Sequence, residues 1–151
     1  MSFDTKAGSR GRRRPGKATA WFNKLFIGRV RKGGKVMGMN ALVLTTVGRK
    51  SGLERQTPVG WFPGKDDTWL IVASAAGSAG NPAWYHNLAA HPDQLWIETA
   101  GDKVAVRADQ LHGEEREEAW QQITTAAPRF AQYQEITDRE LPIIRLTRRG
   151  V

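Results

Sequence analysis

The alternation of apolar and polar residues along the chain predicts short strands joined by tight turns. Residues 41–47 and 68–73 are continuous apolar or β-branched runs typical of buried strands, and the second run predicts a central strand. Residues 94–99 and 103–111 flank a short Ala-Gly-Asp turn, which predicts a hairpin. About six segments share these strand patterns: residues 41–47, 55–62, 68–73, 94–99, 103–111 and 141–149.

Helical patterns lie before and between these strands. Residues 82–91 follow an Asn-Pro start, with Asn81 as the predicted cap and Pro82 in the first turn. Residues 113–127 carry acids in their first turns, where the helix dipole favours them, and a second short helix spans residues 128–136. Because the strands are largely adjacent through hairpins, the chain is predicted to be an α+β protein with a mainly antiparallel barrel and flanking helices.

The composition is that of one globular domain without cysteine chemistry. The chain has 151 residues, 40% of them hydrophobic, with six Trp and no Cys, which excludes disulfides, thiolate metal sites and a cysteine nucleophile. Of its net charge of +8, residues 1–35 hold eleven Lys or Arg and one acid, a charge of +10, so the other 116 residues carry −2. We therefore predict a flexible basic arm over residues 1–18 and a single domain over residues 19–151.

Residues 19–32 predict a basic amphipathic helix, with Trp21 and Phe22 on its apolar face. Such a helix can lie on an anionic membrane surface, or its aromatic face can cover the domain while its cations face water. The shortness of the apolar stripe favours the second interpretation. No apolar run of the length of a signal peptide follows the arginines of the arm, so we expect a cytoplasmic protein, peripheral to the inner face of the membrane if the helix binds lipid.

A glycine-bracketed turn between two predicted strands carries three cations. Arg49 and Lys50 stand at its tip, Arg55 lies on the outgoing strand, and Ser51 and Gly52 complete the turn. A turn needs no third cation on its strand, so the set predicts a phosphate or carboxylate site, with a solubilising charged turn as the alternative. Two or three such contacts barely offset the cost of association, about 4–15 kcal/mol. The ligand must therefore also bury an apolar body.

Residues 73–80 offer a place for that body, since all are Ala, Ser or Gly and let backbone amides approach a flat ligand. The helix N-terminus that follows favours an electron-rich ligand edge. The glycines fit neither a dinucleotide-binding fingerprint nor a phosphate-binding loop. The three histidines have no metal-ligand spacing and the serines of the loop lack the context of a nucleophilic serine, so neither a metal site nor serine hydrolysis is predicted.

Together, the segments LTTVGRKSGLERQTPV and VASAAGSAGNPAWYHNLAAHP and the helix with Tyr133 resemble the deazaflavin-dependent nitroreductase family of actinobacteria, split β-barrel proteins that bind coenzyme F420. The resemblance spans about residues 20–149. It implies that the cationic hairpin holds the phosphate and oligoglutamate tail of the cofactor, and that the small-residue loop contacts the ring through its backbone. The cofactor-binding residues that it implies are Arg49, Lys50, Ser51, Gly52, Arg55, Pro58, Val59, Ser74, Ala75, Ala76, Gly77, Asn81, Pro82, Trp84 and Tyr85.

The resemblance also implies the chemistry, which is transfer of a hydride from C5 of the reduced deazaflavin to an enone, a quinone or a nitroaromatic. Tyr133 is the candidate catalytic residue, which orients the acceptor or donates a proton; solvent is the competing proton source, and packing in a lid helix is its alternative role. Trp21, Phe22 and Phe130 are the other candidate walls of the acceptor pocket. Family members that activate nitroimidazole prodrugs have several tyrosines there, whereas this region holds Tyr133 with Phe130.

Two alternative functions remain open from the sequence. One is a split-barrel oxidoreductase that binds flavin mononucleotide, although the longer acidic tail of F420 better suits three cations. The other is a non-catalytic protein that binds a membrane or nucleic acid through residues 6–35, and the body's charge of −2 makes nucleic acid the weaker case. The expected partner is a small-molecule acceptor, and the expected assembly is a monomer or a homodimer.

Overall fold

The computed structural model describes residues 3–11, 27–28, 30, 40–99 and 101–149. Within them lie seven strands: β1 (Ala41–Val47), β2 (Glu54–Gly60), β3 (Phe62–Pro63), β4 (Trp69–Val72), β5 (Leu95–Thr99), β6 (Asp102–Gln110) and β7 (Ile143–Arg148). Three helices of two turns or more accompany them: α1 (Ala83–Ala90), α2 (Gly113–Ala126) and α3 (Arg129–Ile136). Two short 3-10 turns connect elements: Lys65–Asp67 and Ala75–Gly77.

The seven strands form one antiparallel sheet in the order β2-β1-β5-β6-β7-β4-β3. The sheet curls until β2 and β4 pack against each other without pairing, which leaves an open seam along one side of the barrel. β2 is an edge strand, and it contains Pro58, which has no N–H to donate. The predicted α+β fold, a split antiparallel barrel with flanking helices, is confirmed.

The sheet differs in two details from the sequence-based expectation. The segment expected over residues 55–62 is divided at Trp61 into β2 and β3, so the described residues hold seven strands. The strand expected within residues 68–73 is β4, which pairs with β7 and with the two-residue β3 and therefore lies beside an edge, not at the centre. Its apolar run reflects burial on both faces, because one face meets the barrel interior and the other meets α2 and α3.

Side chains inside the curled sheet form the main core. Strand residues such as Leu44, Ile71 and Ile97 meet Trp84 and Leu88 of α1 there, and all of them are buried. A second cluster lies on the outer face of the sheet, where α2 and α3 cover β4 and β7. Full burial of one such Leu or Ile contributes about 1.5–3 kcal/mol, so α1 is held firmly to the barrel by its apolar face.

The outer face of β1 is covered by the chain that precedes it. Ile27 and Val30 pack on Ala41 and Val43. At these two positions the chain covers the domain, which is one of the two interpretations of the segment 19–32; the remainder of that segment lies outside the described residues. No helix in the described part of the chain is long and apolar enough to cross a membrane.

Residues 3–11 lie against the domain. The amide of Thr5 donates to the hydroxyl of Tyr85 (3.1 Å), and the amides of residues 9 and 10 donate to the carboxylate of Asp138 (2.9 Å each). The contacts involve only part of the flexible arm predicted over residues 1–18. The rest of that arm lies outside the described residues, and its mobility stays a prediction.

Candidate functional site

The open seam of the barrel holds a cleft of about 250 Å³. Residues 57–60 of β2 form one wall and residues 74–76, in the loop after β4, form another. Pro82 and Trp84 at the start of α1 and one face of α3 complete the lining. The cleft therefore brings together Pro58, Val59, Ser74, Ala75, Ala76, Pro82, Trp84, Phe130 and Tyr133 of the predicted site.

A smaller cavity of about 110 Å³ lies between β4, β7 and α2. Two ion pairs line it, Lys65 with Glu118 (3.2 Å) and Arg145 with Glu115 (2.8 Å). These charges already compensate one another at an exposed surface. The seam cleft, which is larger and combines apolar walls with open backbone, is the better candidate for a ligand.

The loop wall of the cleft has an unusual backbone. Ala75 and Ala76 have positive φ angles of 46° and 52°, a conformation that non-glycine residues adopt at a cost of about 1–3 kcal/mol each. Gly77 follows with a φ of 83°, and a Cβ there would lie 3.0 Å from the carbonyl oxygen of Tyr133. The loop is therefore strained and packed closely on α3, so other parts of the chain must hold it in place.

Arg139 provides much of that hold. This side chain is 2% exposed, and its guanidinium donates to the carbonyls of Ala73 (2.9 Å), Ser74 (2.8 Å) and Ser78 (3.2 Å). It also donates to the side-chain oxygen of Asn81 (2.7 Å). Burial lowers the pKa of Arg139 from its ordinary value, although the nearby Tyr85 acts in the opposite direction. Both ends of the strained loop are thus tied to one buried cation.

Asn81 and Tyr85, two residues of the predicted signature, lie behind the cleft and not in its lining. Asn81 was expected to cap α1, but Pro82 occupies the cap position and the Asn81 side chain bonds to Arg139 and, at 2.8 Å, to the carbonyl of Thr5. Tyr85 is buried, and its hydroxyl donates to Gln110 (2.6 Å). Desolvation raises the pKa of Tyr85. Both side chains therefore connect the loop and α1 to the rest of the domain.

The cationic hairpin is a compact turn between β1 and β2. Its backbone is closed by bonds from Gly48 N–H to Leu53 O (2.8 Å) and from Gly52 N–H to Gly48 O (2.9 Å), and Gly52 has the positive φ of 70° that the turn requires. The Ser51 hydroxyl accepts from the amide of Leu53 (3.1 Å), so it serves the turn itself. The three cations, Arg49, Lys50 and Arg55, are all exposed.

The hairpin and the cleft are connected by two elements. Asn87 of α1 accepts from the amide of Arg49 (3.1 Å) and donates to Thr46 (3.0 Å), which fixes the turn to the helix that begins at the cleft. On β2, Arg55 precedes Pro58 of the cleft wall by three residues, a separation of roughly 10 Å. The arrangement therefore fits a ligand with a flat, largely apolar head and an anionic extension of about that length.

α3 supplies the aromatic side of the cleft. The ring of Tyr133 is partly buried and meets Phe130 edge to face at 5.8 Å, and Phe130 in turn meets Phe62 of the outer core at the same distance. Phe130 thus both packs and lines the cleft. Trp21 and Phe22, the other predicted acceptor walls, lie outside the described residues.

The structure adds two arginines to the site that the sequence did not indicate. Arg129 lines the cleft one helical turn before Tyr133. Arg139 lies in the segment between α3 and β7. This segment has no helix or strand pattern in the sequence, so a charged residue there is expected to face solvent. Among residues 3–11, 27–28, 30, 40–99 and 101–149, no three His, Asp or Glu side chains converge in a way that could hold a metal ion.

Comparison with known proteins identifies the family. The profile of the F420H2-dependent quinone reductase family matches residues 18–148. An F420H2-dependent quinone reductase of Mycobacterium tuberculosis is 35% identical over 111 residues, which cover 72% of this chain and 74% of that protein. A solved F420H2-dependent reductase superposes with a TM-score of 0.62 at 33% identity, covering 70% of this chain and 92% of its own. A second solved structure, described as a domain-swapped dimer, has a TM-score of 0.65 at 28% identity and covers 85% of this chain and 96% of its own. The chain therefore belongs to the F420H2-dependent quinone reductase family, and coenzyme F420 is its cofactor.

Proposed function

We propose that this protein uses reduced F420 to reduce a small activated acceptor, with a quinone as the first candidate and an enone or a nitroaromatic as further ones. The observation that carries the proposal is the pairing of the cleft in the barrel seam with the cationic hairpin. β2 carries Pro58 of the cleft wall and, roughly 10 Å before it, the exposed Arg55, and it begins at the turn that holds Arg49 and Lys50. A cofactor with a flat ring and a polyanionic tail matches that pairing of surfaces.

The walls of the cleft would hold the ring. Pro58 and Val59 lie on one side and the small side chains of residues 74–76 on the other, so the ring can contact backbone without steric obstruction. Burial of a tricyclic ring of a few hundred Å² contributes roughly 5–8 kcal/mol at about 25 cal/mol per Å². When bound, the reduced cofactor supplies the hydride, and the protein contributes orientation and exclusion of water.

The cationic hairpin would hold the phosphate and the acidic tail. Arg49, Lys50 and Arg55 are exposed and arranged around one turn, so a chain of carboxylates can contact them in several ways. Each charge-assisted hydrogen bond contributes on the order of 1.5–3 kcal/mol before screening by solvent. Two or three tail contacts alone barely offset the lower part of the association cost, about 4–15 kcal/mol, whereas ring burial and tail contacts together offset most of that range.

Tyr133 would act on the acceptor. Its ring lies at the cleft on α3, where the hydroxyl can orient a carbonyl oxygen or donate a proton to it, with solvent as the alternative proton source. The chain has two tyrosines, and Tyr85 is committed to Gln110 behind the cleft. Among the described residues, Tyr133 is the one tyrosine that lines the cleft. Members of the resembled nitroreductase family that activate nitroimidazoles have several tyrosines there, so a quinone is favoured over a nitroimidazole as the acceptor.

To test this proposal, reduced F420 is mixed with the protein and one acceptor, and the formation of oxidised F420 is measured by its absorbance. A soluble naphthoquinone, cyclohexenone and a nitrobenzoate represent the three classes, and we expect the quinone to turn over fastest. Fluorescence titration with F420 and with flavin mononucleotide in parallel tests the flavin alternative. Tighter binding of flavin mononucleotide, or no turnover of any acceptor, would contradict the proposal.

The same protein can be tested for the non-catalytic alternative and for its assembly. Binding to duplex DNA or to anionic lipid vesicles, without F420 binding, would support a role for the basic segment in place of reduction. A membrane contact through residues 19–32 predicts vesicle binding that weakens at high salt. Light scattering distinguishes the monomer from the homodimer, and the domain-swapped relative makes the dimer the form to look for first.

A further inference from the structure

The guanidinium of Arg139 contacts loop 73–78, which forms one wall of the cleft, from the side away from the cleft. It bonds to the carbonyl oxygens of Ala73 and Ser74, whose residues lie immediately before the strained pair of alanines. In a trans peptide the C=O and the following N–H point in opposite directions, and all peptide bonds described here are trans. Pulling these carbonyls toward Arg139 therefore turns the amides of Ser74 and Ala75 away from it, toward the side that lines the cleft.

Stability alone is a weak reason for such a cation. Arg139 is buried, and the four acceptors that its guanidinium contacts are three carbonyl oxygens and one amide oxygen, none of them a carboxylate. Burial of a cation among neutral partners has a large desolvation cost, and well-packed apolar side chains are often at least as stabilising as a buried charge. What a guanidinium offers instead is a planar fork that fixes several acceptors at once.

The N-terminal segment, residues 3–11, also contacts this loop and the residues that follow it. Its Thr5 carbonyl accepts from Asn81, the side chain that Arg139 also binds, and the amide of Gly8 donates to the carbonyl of Ala79 (2.7 Å). Gly11 approaches so closely that a Cβ on it would lie 2.6 Å from the carbonyl oxygen of Gly77. The segment therefore lies directly on the back of the loop.

Asp138 anchors this segment. Its carboxylate accepts from the Ser9 hydroxyl (2.6 Å) and from the amides of Ser9 and Arg10, while the hydroxyl of Thr137 donates to the Arg10 carbonyl (2.6 Å). Asp138 and Arg139 are consecutive in the chain. Asp138 binds the N-terminal segment and Arg139 binds loop 73–78, so the loop lies between the Arg139 side chain and the N-terminal segment.

We propose that Arg139 and the N-terminal segment 3–11, anchored at Asp138, are a positioning device that fixes loop 73–78 against the ring of F420, so that both determine cofactor affinity without touching the cofactor. The inference rests on the proposed function. Arg139 is a positioning residue, and the segment is a working part of the site.

The experiment titrates the fluorescence of oxidised F420 with the full-length protein at several salt concentrations, well below the melting temperature. The variants are Arg139→Gln, Arg139→Lys and Asp138→Ala. Arg145→Gln is the matched control, because Arg145 bonds to Glu115 (2.8 Å) and does not line the cleft. We expect the Kd to rise about tenfold for Arg139→Gln, which corresponds to about 1.4 kcal/mol, with a smaller rise for the other two and none for the control. Because the loop contacts the ring and not the anionic tail, the slope of log Kd against log salt should stay that of the wild type.

Three outcomes overturn the inference. An unchanged Kd with a lower Tm would assign Arg139 to stability only, and a reduced salt slope would make it a charge that attracts the tail. Failure of the Asp138→Ala variant to weaken binding would remove the N-terminal segment from the device. If Arg139→Gln does not fold, the Lys variant and the exposed Asp138 decide the matter. Failure of the proposed function is distinct, because the wild-type protein would then not bind F420 at all.

Discussion

Reversal of charge at Arg55 is the sharpest test of the cationic hairpin. Arg55 lies on β2 between the turn and the cleft wall and is exposed, so its replacement by Glu leaves the core unchanged. A unit charge about 5 Å from one anionic group contributes about 0.8 kcal/mol in water, and reversal changes the free energy of binding by twice that, about 1.7 kcal/mol.

Salt determines how much of this energy is observed. At physiological ionic strength the screening length of about 8 Å halves the effect to about 0.9 kcal/mol, or about fivefold in Kd. At 0.01 M, where the screening length is about 30 Å, the change rises to about 1.4 kcal/mol, or about tenfold. Arg55→Gln should give half of each free energy, and the double reversal of Arg49 and Arg55 should give roughly twice the single one if the two sites are independent.

The assay is fluorescence titration with oxidised F420 at both salt concentrations. Lys103→Glu is the matched control because it changes the net charge equally. In the sheet register Lys103 of β6 lies opposite Glu98 of β5, and Glu98 lies opposite Val43 of β1. Lys103 is therefore two strands away from β1 and four residues along the register from Val47, where the hairpin begins. If Arg55→Glu binds F420 with the wild-type affinity at low salt, or if the control weakens binding as much, the hairpin does not hold the tail.

Three further predictions concern the rest of the site. Tyr133→Phe keeps the edge-to-face contact with Phe130 and should lower the single-turnover rate constant with the quinone by about 100-fold or more if its hydroxyl donates the proton, whereas an unchanged rate constant would identify solvent as the donor. Gly77→Ala should lower the free energy of unfolding by more than Gly101→Ala, because both have a positive φ but only a Cβ at position 77 meets neighbouring atoms within 4 Å; equal losses in urea titration would contradict this. Hydrogen bonds from the hydroxyl and amide of Ser9 and from the amide of Arg10 lower the pKa of Asp138 from 3.8 to about 2. The stability that the ionised carboxylate contributes is therefore fully present above pH 3.8 and is lost as the pH falls toward 2. The difference in free energy of unfolding between the wild type and Asp138→Asn, measured in urea, should shrink over that window and stay constant between pH 5 and 7.

Local patterns in the sequence were enough to predict most of the elements. The buried run 41–47 coincides with β1, and the small-residue loop does reach the cleft beside the start of α1. These features depend on residues that are close in sequence, where periodicity and turn chemistry are informative. The family resemblance then supplied the cofactor, which no spacing of charges could have identified.

Contacts between distant residues could not be predicted in this way. Asn81 has the sequence signature of a helix cap, but its side chain is taken by Arg139, 58 residues away, and by Thr5, 76 residues away. A buried Arg looks like any solvated Arg until the fold brings backbone carbonyls to it. The same holds for β4, whose apolar run reports burial on two faces but not its place in the strand order.

Pro58 has a consequence for the state of the protein in concentrated solution. An edge strand with regularly spaced donors is a template on which another chain can add a strand and start aggregation. Pro58 interrupts the donors of β2 at its middle, and the charged side chains of Glu54 and Arg55 flank the same edge. Pro58 and the two charges therefore discourage addition of a second molecule to this edge, and a Pro58→Thr substitution should reduce solubility even where the fold survives.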